Sequence, residues 1–270
     1  MSVSPYHPSQ TFLLTCARSP VPKSKHRYLQ GKHLVRRLLT ASTPVTILDA
    51  IYYPDELASS LSPSARSLLK VVKGDIRNTT LLSDVFTPDV VGVVHLAAVS
   101  RVLRCLQNEA DCRDINERGT KLVLEALSDL NAKDNGRRWF ILASSGDVYD
   151  MEKSVNLHGT TKLAAEKVLE THLEAVKKKL GKESDKWWKW GRGGALHAVV
   201  LRLSNVYGSV YDHVERLVPS VTTQALSHQV IQISGGHQHV RLFSLGLSGS
   251  TRSFSSSTSF ISMTALTASS

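Results

Sequence analysis

Short apolar runs rich in β-branched residues alternate along the chain with segments of helical periodicity. Six runs predict buried strands, at residues 11–15, 44–50, 69–75, 90–98, 138–145 and 196–204. Between them, residues 31–42, 115–130 and 158–180 place Leu and Val at helical spacing, with charges on the opposite face. This order predicts an α/β fold with a doubly wound parallel sheet, which binds ligands at the carboxyl ends of its strands.

Composition is typical of a globular protein with one or two domains, because 41% of 270 residues are apolar. No apolar run is long enough for a spanning helix, so no membrane partner is expected. Cys16, Cys105 and Cys112 have neither the C-x-x-C spacing of a zinc site nor an obvious pairing, which predicts no disulfide and no metal. Together these features favour a reducing, cytoplasmic location.

The net charge of +10 raises the alternative of a nucleic-acid binder. No acidic residue precedes Asp49 or follows Glu215, so much of the excess charge lies at the two ends. The segment 177–194 mixes Lys with three Trp, a composition that can stack bases and neutralise phosphates. A charged helix end that runs into a surface insertion is favoured, because one loop gives a small electrostatic footprint.

Four motifs in order then carry a family resemblance: "VVHLAAVS", "FILASSGDVYD", "HGTTKLAAEKV" and "LRLSNVYG". Over residues 31–240 the chain resembles the extended short-chain dehydrogenase/reductase family, in particular its NAD-dependent epimerase/dehydratases of nucleotide sugars, such as the UDP-glucose 4-epimerase type. The resemblance implies NAD as cofactor, a nucleotide sugar as substrate, and a homodimer formed through the helices at 102–130 and 158–180.

The resemblance also implies a division of the chain. Residues 31–208 match the Rossmann-like dinucleotide-binding domain, and 209–241 match a remnant of the substrate lobe, so the C-terminal lobe is expected to be incomplete. Residues 1–30 are an aberrant or disordered N-terminus that holds a first strand at 11–15. Residues 242–270 are rich in Ser and Thr and are expected to be disordered.

Cofactor binding is assigned by resemblance to seven positions: Gly31, Asp49, Asp75, Ile76, Ala97, Ala98 and Lys162. Asp49 ends the second strand, where a carboxylate accepts hydrogen bonds from the adenosine ribose and favours NAD over its 2′-phosphorylated relative. An ordinary turn-forming role is the alternative for Asp49. Small residues such as Ala97 let backbone approach the cofactor, whereas His95 is interpreted as a packed, satisfied histidine.

Acid/base chemistry is assigned to the stretch 143–168. In the family a tyrosine, with a lysine four residues later on the same helical face, removes the hydroxyl proton of the sugar, and the lysine charge stabilises the phenolate. His158 stands in the tyrosine place before Lys162, where neighbouring positive charge would weaken an imidazole as a base. Ser145 takes the place of the serine that donates to the reacting oxygen, with Ser144 beside it as a substrate contact.

A second pair, Tyr149 with Lys153, has the literal spacing of a catalytic pair but follows the serine strand too closely, so Tyr149 is predicted to lie in a turn. Asn116 resembles a residue that steadies the active-site backbone, and a helix cap is an equally good interpretation. Asn205 resembles a substrate-binding residue, and Arg202 is interpreted as a substrate-lobe residue or as a structural charge.

Departures from the family pattern predict impaired activity. The glycine-rich turn after the first strand is replaced by "CARSPVPKSKHRYLQ", which retains no early glycine to admit the pyrophosphate, so weaker NAD affinity is expected. The abrupt breaks near Cys16, residues 150–155 and Leu242 suggest errors of intron or reading-frame assignment. Two functions therefore remain: a nucleotide-sugar epimerase or dehydratase, inactive as written or not, and a non-catalytic scaffold or nucleotide-binding relative.

Overall fold

The computed structural model describes residues 10–16, 29–50, 57, 61–100, 102–150, 156–180, 196–203, 206, 217–227 and 262–266. Seven strands lie in these ranges: β1 Thr11–Cys16, β2 Val45–Asp49, β3 Leu69–Lys73, β4 Val90–His95, β5 Arg138–Ser145, β6 Leu196–Leu203 and β7 Ser262–Leu266. All six predicted strands are therefore present, within a few residues of their predicted ends.

Within the described ranges, the strands are joined by α-helices, by one π-helical turn and by one 3₁₀ turn. The α-helices are α1 Leu29–Thr40, α2 Pro63–Ser67, α3 Thr79–Val85, α4 Val102–Gln107, α5 Glu109–Arg113, α6 Thr120–Asp134, α7 Leu157–Leu180 and α8 Leu217–Leu226. A π-helical turn spans Asp114–Gly119, between α5 and α6, and a 3₁₀ turn spans Gly146–Asp150, after β5.

The strands form one sheet in the order β3-β2-β1-β4-β5-β6-β7. Strands β1 to β6 are parallel, and β7 adds antiparallel to the edge beside β6. After β1 the chain adds β2 and β3 on one side of it and then returns to add β4, β5 and β6 on the other side. The boundary between β1 and β4 is therefore the switch point at which doubly wound sheets bind ligands. The predicted doubly wound parallel sheet is confirmed.

Alternation along the central strands divides the core between the two faces of the sheet. In β1, Leu13 belongs to the face covered by α3, α6 and α7, whereas Phe12 and Leu14 face α1 and α2. Helices cover both faces of the sheet, so side chains on either side of a strand are buried. The strand sequences are therefore nearly continuous apolar runs.

Two findings differ from the sequence predictions. Cys105 and Cys112 form a disulfide between α4 and α5, with their Cα atoms 5.1 Å apart, so the prediction of no disulfide is wrong. Seven positions separate them, a spacing outside any familiar motif, and only the turn between two short helices brings them together. The cytoplasmic location, which rested partly on unpaired cysteines, stays a prediction.

The tail at 242–270, expected to be disordered, contributes strand β7, and the rest of that tail lies outside the described residues. Of the predicted substrate lobe at 209–241, the structure describes α8 and Ser227. No helix among the described residues is both long and apolar enough to cross a bilayer.

Candidate active site

Six of the seven predicted cofactor residues lie at or beyond the carboxyl ends of β2, β3 and β4 or at the start of α1, and the seventh, Lys162, lies in α7. Asp49 ends β2 and is 2% exposed, and Gly31 lies buried in the first turn of α1. Ala97 and Ala98 follow β4 and are both buried. The parallel sheet therefore gathers along one edge positions that are far apart in sequence.

Asp75 and Ile76 follow β3, and the structure gives each a partner within the protein. Both carboxylate oxygens of Asp75 accept hydrogen bonds from Arg77, whose guanidinium also reaches Asp111 and Asp114. Ile76 is buried against Gly119, where an added Cβ would lie 2.5 Å from Ile76 Cδ1. Their adenine-binding roles stay predictions.

His95, at the end of β4, is a satisfied core histidine, as the sequence predicts. Thr120 Oγ1 donates to Asn116 O at 2.6 Å, so it must accept from His95 Nε2 at 3.0 Å. Thr15 Oγ1 then donates to Nδ1 at 2.7 Å. Burial, with a smaller effect of the Lys162 charge, lowers the pKa of His95 to about 3, so this imidazole is neutral.

Asn116 lies in the π-helical turn with its side chain buried, and it does not cap a helix. Its Oδ1 accepts from Val99 N at 2.7 Å, while Nδ2 donates to Val99 O at 3.2 Å and to Thr161 Oγ1 at 2.9 Å. Asn116 thus holds the backbone beyond β4 and links it to α7, so of the two interpretations the structure supports the one in which Asn116 steadies the backbone. Irregular π turns are frequent at functional sites.

The N-terminal turn of α7 carries the predicted catalytic pair. Asn156 caps the helix, because its Oδ1 accepts from Gly159 N at 2.6 Å. His158 and Lys162 lie one turn apart, and both are buried. Lys162 Nζ donates to Ala143 O of β5 at 2.7 Å. Burial lowers the pKa of Lys162 to about 8, against an opposing effect of Glu166, so its ammonium is mostly protonated near neutral pH.

Ser144 and Ser145 end β5, and their hydroxyls have different partners. Ser144 Oγ donates to Glu166 Oε1, and Glu166 also binds Arg202 of β6 through both carboxylate oxygens. Ser144 therefore offers no donated hydrogen bond to a substrate in this arrangement, and its substrate role stays a prediction. Ser145 Oγ accepts from Asp147 N at 3.2 Å, and a hydrogen bond from the same hydroxyl is among the causes that lower the pKa of the Asp147 carboxyl.

Tyr149 lies in the 3₁₀ turn rather than on a helix, as predicted, and is half exposed. Its ring lies 4.6 Å from the Arg202 guanidinium carbon, a cation–π contact that gives this tyrosine a packing role. Arg202 is thereby fixed between Glu166 and Tyr149, which supports the interpretation of Arg202 as a structural charge.

Asp147, which was not among the predicted site residues, joins the serine strand β5 to the helix that carries His158. Its Oδ2 lies 3.0 Å from His158 Nδ1, and its backbone amide binds Ser145. The hydrogen bond with His158 is the largest cause that lowers the pKa of the Asp147 carboxyl, so the group is ionised near neutral pH. Its position two residues after the serine, on a turn that leads back toward α7, was the available signal.

Several predicted features lie outside the described residues: Asn205, Lys153, the replaced glycine-rich segment at 17–28 and most of the Lys/Trp segment. Within the part of the chain that the structure does describe, no three His, Cys, Asp or Glu side chains are grouped as metal ligands would be.

The described residues fit a dinucleotide in three respects. A carboxylate ends β2, small buried alanines follow β4, and a buried ammonium rises from α7 beside the end of β5. These places are held by Asp49, Ala97 and Lys162. A carboxylate and an ammonium bind ribose hydroxyls, and a small side chain lets a nicotinamide approach the backbone closely.

Comparison with known proteins agrees with this fold. The model of the NAD dependent epimerase/dehydratase family matches residues 29–244. UDP-glucose 4-epimerase of Lacticaseibacillus casei is 30% identical over 151 residues, which cover 52% of this chain and 42% of that protein. dTDP-glucose 4,6-dehydratase of Streptomyces niveus is 28% identical over 222 residues, covering 77% and 60% respectively. The chain thus spans less than two thirds of these relatives.

Solved structures show the same fold at lower identity. The dTDP-glucose 4,6-dehydratase of Streptomyces venezuelae, solved with NAD and TYD bound, has a TM-score of 0.57 at 24% identity, over 81% of this chain and 63% of that one. UDP-glucose 4-epimerase of Thermotoga maritima, solved with UDP-glucose, has a TM-score of 0.57 at 20% identity, over 83% and 65%. Since the family model matches most of the chain, the protein belongs to the NAD-dependent epimerase/dehydratase family, within the extended short-chain dehydrogenases/reductases.

Proposed function

We propose that this protein is an NAD-dependent oxidoreductase or isomerase that transiently oxidises a hydroxyl-bearing carbon of a nucleotide sugar. The observation that carries the proposal is the connected group Ser145, Asp147 and His158, with Lys162 one helical turn further, at the carboxyl end of the sheet. This edge is where a doubly wound sheet binds its ligands.

Each side chain has a role that its environment supports. On substrate binding, the Ser145 hydroxyl turns from the Asp147 carboxylate and donates to the reacting oxygen, and His158 accepts the proton that the oxygen loses. Lys162, buried and mostly protonated, stabilises negative charge that develops on the oxygen and holds the nicotinamide ribose. When bound, NAD supplies a reversible two-electron acceptor.

Nucleotide sugars are the proposed substrate class because of what relatives bind or act on. The named relatives act on UDP-glucose or dTDP-glucose, and the solved structures hold NAD with TYD or hold UDP-glucose. The described residues do not distinguish among sugars, since the predicted substrate contact Asn205 lies outside them.

The direct test is to incubate the purified protein with NAD and either UDP-glucose or dTDP-glucose, then to resolve products by NMR. Epimer or 4-keto product is expected, and Ser145→Ala should lower kcat by about 10²-fold. Ser128→Ala is a matched control, because Ser128 Oγ bonds His172 between α6 and α7, away from the described site. Product formation that survives both Ser145→Ala and Lys162→Met would contradict the assignment.

The alternative is a non-catalytic relative that retains the scaffold for binding a nucleotide. His158 in the tyrosine place favours it, because an imidazole is a different proton acceptor from a phenolate. NAD binding measured by calorimetry, together with no product from either sugar nucleotide, would support this alternative.

We further propose a homodimer through α4 to α7, as the family resemblance implies. Leu103 and Leu106 of α4 are each more than 60% exposed, and Val102 is partly exposed beside them. Light scattering after size exclusion should give twice the mass of 29.6 kDa, and Leu103→Glu with Leu106→Glu should give the monomer. A monomeric wild-type protein at micromolar concentration would contradict the dimer.

A further inference from the structure

His158 is buried with only one of its ring nitrogens bonded. The residue is 7% exposed, its Nδ1 lies 3.0 Å from Asp147 Oδ2, and its Nε2 is buried without a hydrogen-bond partner among the described groups. Buried polar atoms in native proteins are nearly always bonded, and leaving one unbonded costs about 1–3 kcal/mol. An unbonded Nε2 therefore points to a partner that the described residues do not supply.

Gly159 makes room for the contact between the turn after β5 and the helix. An added Cβ at this position would lie 3.1 Å from Asp147 Cβ and 3.3 Å from Asp147 O. Both distances are tighter than ordinary van der Waals contact, so any larger side chain would displace Asp147 by a few tenths of an ångström. The glycine after His158 thus permits the carboxylate to reach the ring.

A carboxylate on Nδ1 decides where the imidazole proton resides. An ionised carboxylate only accepts, so Nδ1 must carry the proton, and the Nε2 lone pair remains available in the neutral ring. Once Nε2 takes a second proton, the carboxylate stabilises the imidazolium that forms. This contact opposes the positive charge of Lys162, the other charged group on the same helical turn, which by itself would weaken the base.

We infer that Asp147 is a positioning residue that fixes His158 in the Nδ1–H tautomer, so that Nε2 accepts the proton of the substrate hydroxyl. This inference rests on the proposed function. The O–H bond breaks as the N–H bond forms at Nε2, and the C–H bond of the same carbon would break as its hydride passes to the nicotinamide oxidant of that function, which leaves a carbonyl. His158 with Asp147 takes the place of the phenol in the family pattern, and Lys162 retains the place of the lysine.

The first test reads the tautomer directly and needs no turnover. Long-range ¹H–¹⁵N correlation spectra of histidine-labelled protein, with the His158 signals assigned by their loss in His158→Gln, should show Nδ1 protonated and Nε2 unprotonated in the neutral ring. Asp147→Asn should raise the population of the Nε2–H tautomer, whereas Asp147→Glu should retain much of the wild-type pattern. The exposed Asp129→Asn on α6 is the surface control. An unchanged tautomer in Asp147→Asn would overturn the inference.

The second test separates positioning from stability. In the wild-type background, Asp147→Asn should lower kcat by about 10- to 100-fold with a small change in KM. In a His158→Tyr background, the same substitution should cost less than about 3-fold, because a phenol does not need the tautomer to be fixed. Equal losses in both backgrounds would overturn the inference, since they would indicate a structural role. Thermal unfolding of each variant establishes that it is folded.

The two proposals fail differently. A wild-type protein without product, but with the expected tautomer and its loss in Asp147→Asn, would contradict the proposed reaction and leave the His–Asp pair supported. Product formation with an Nε2–H tautomer in the wild type would retain the reaction and overturn the inference.

Discussion

Two buried histidines show how the hydrogen-bond partners of an imidazole determine its role. His95 has a threonine hydroxyl on each ring nitrogen, and burial keeps the ring neutral. His158 has a carboxylate on one nitrogen and no described partner on the other. The same side chain therefore serves as a core residue in one place and as a candidate base in the other, because only the second combines an ionised acceptor with an unused lone pair.

Lys162 should couple stability to pH. Its pKa falls from 10.5 to about 8 on folding, so between these values the unfolded chain holds the proton more tightly and the contribution of Lys162 to stability rises with pH. Below pH 8 both states hold the proton, and the burial cost is constant. The free energy of unfolding of the wild type, relative to Lys162→Met, should increase by about 3 kcal/mol between pH 7.5 and pH 10.5.

Urea unfolding at a series of pH values measures this difference. Lys167→Met, at an exposed position of the same helix, is the matched control. A difference for Lys162→Met that is flat with pH would contradict the lowered pKa.

At the scale of elements, the catalytic helix α7 is tied to its neighbours by polar side chains rather than by apolar packing alone. Thr161 Oγ1 accepts a hydrogen bond from Asn116 of the π-helical turn. Lys162 donates to the backbone oxygen of Ala143 in β5. Glu166 accepts from Ser144 of β5 and from Arg202 of β6. Successive residues on one face of the helix thus fix its height and rotation against β5 and β6. A substitution in any of them should move the N-terminal turn that carries His158.

The Cys105–Cys112 disulfide should stabilise the connection between α4 and α5. It closes a short loop, for which the lost entropy of the unfolded chain corresponds to about 2 kcal/mol. Denatured, air-oxidised protein should have one free thiol per chain that reacts with a thiol reagent, since two of the three cysteines are paired. Reductant should lower the free energy of unfolding by about 2 kcal/mol, and a Cys105→Ser/Cys112→Ser variant should be insensitive to it. Three reactive thiols without reductant would contradict the pairing.

Gly92 in β4 leaves space for the indole of Trp139, its registered neighbour in β5. An added Cβ would lie 2.1 Å from the ring, so Gly92→Ala should destabilise the protein by about 2 kcal/mol through overpacking. Thermal unfolding measures the loss. In a Trp139→Leu background the same substitution should cost much less, and an equal cost there would show that the clash with the indole is not its cause.

At the scale of the whole molecule, the parallel sheet brings the residues of the candidate site together. Residues from six separate regions of the chain lie at or near its carboxyl edge, and the reversal of strand order between β1 and β4 opens the place for a ligand there. Binding at this edge contacts several elements at once, so it should stabilise the whole domain.

NAD should therefore raise the thermal stability of the protein, by about 2.7 kcal/mol at a concentration of one hundred times Kd. NADP should give a smaller shift, because the Asp49 carboxylate repels a 2′-phosphate. Asp49→Ser should narrow the difference in affinity between the two cofactors at least 10-fold, whereas Asp84→Ser, at an exposed site on α3, should leave it unchanged. Equal shifts for both cofactors in the wild type would instead assign Asp49 to the turn.

The sequence by itself determined the layers, the six parallel strands and the family. Apolar runs and helical periods are local properties, and residues buried on both faces of a sheet must be apolar wherever the strands lie. The serine strand and the helix that begins near His158 were predicted for the same reason, as was the place of Tyr149 in a turn.

Only the tertiary structure decided which side chains act together. The pairing of Asp147 with His158 depends on the approach of a turn to a helix that Gly159 permits, and the pairing of Cys105 with Cys112 depends on the angle between two short helices. The hydrogen bond from Ser144 to Glu166 of α7 likewise depends on how that helix packs against the sheet. Hydrogen bonds and disulfides require distances of a few ångströms between groups on different elements, and residue patterns do not encode those distances.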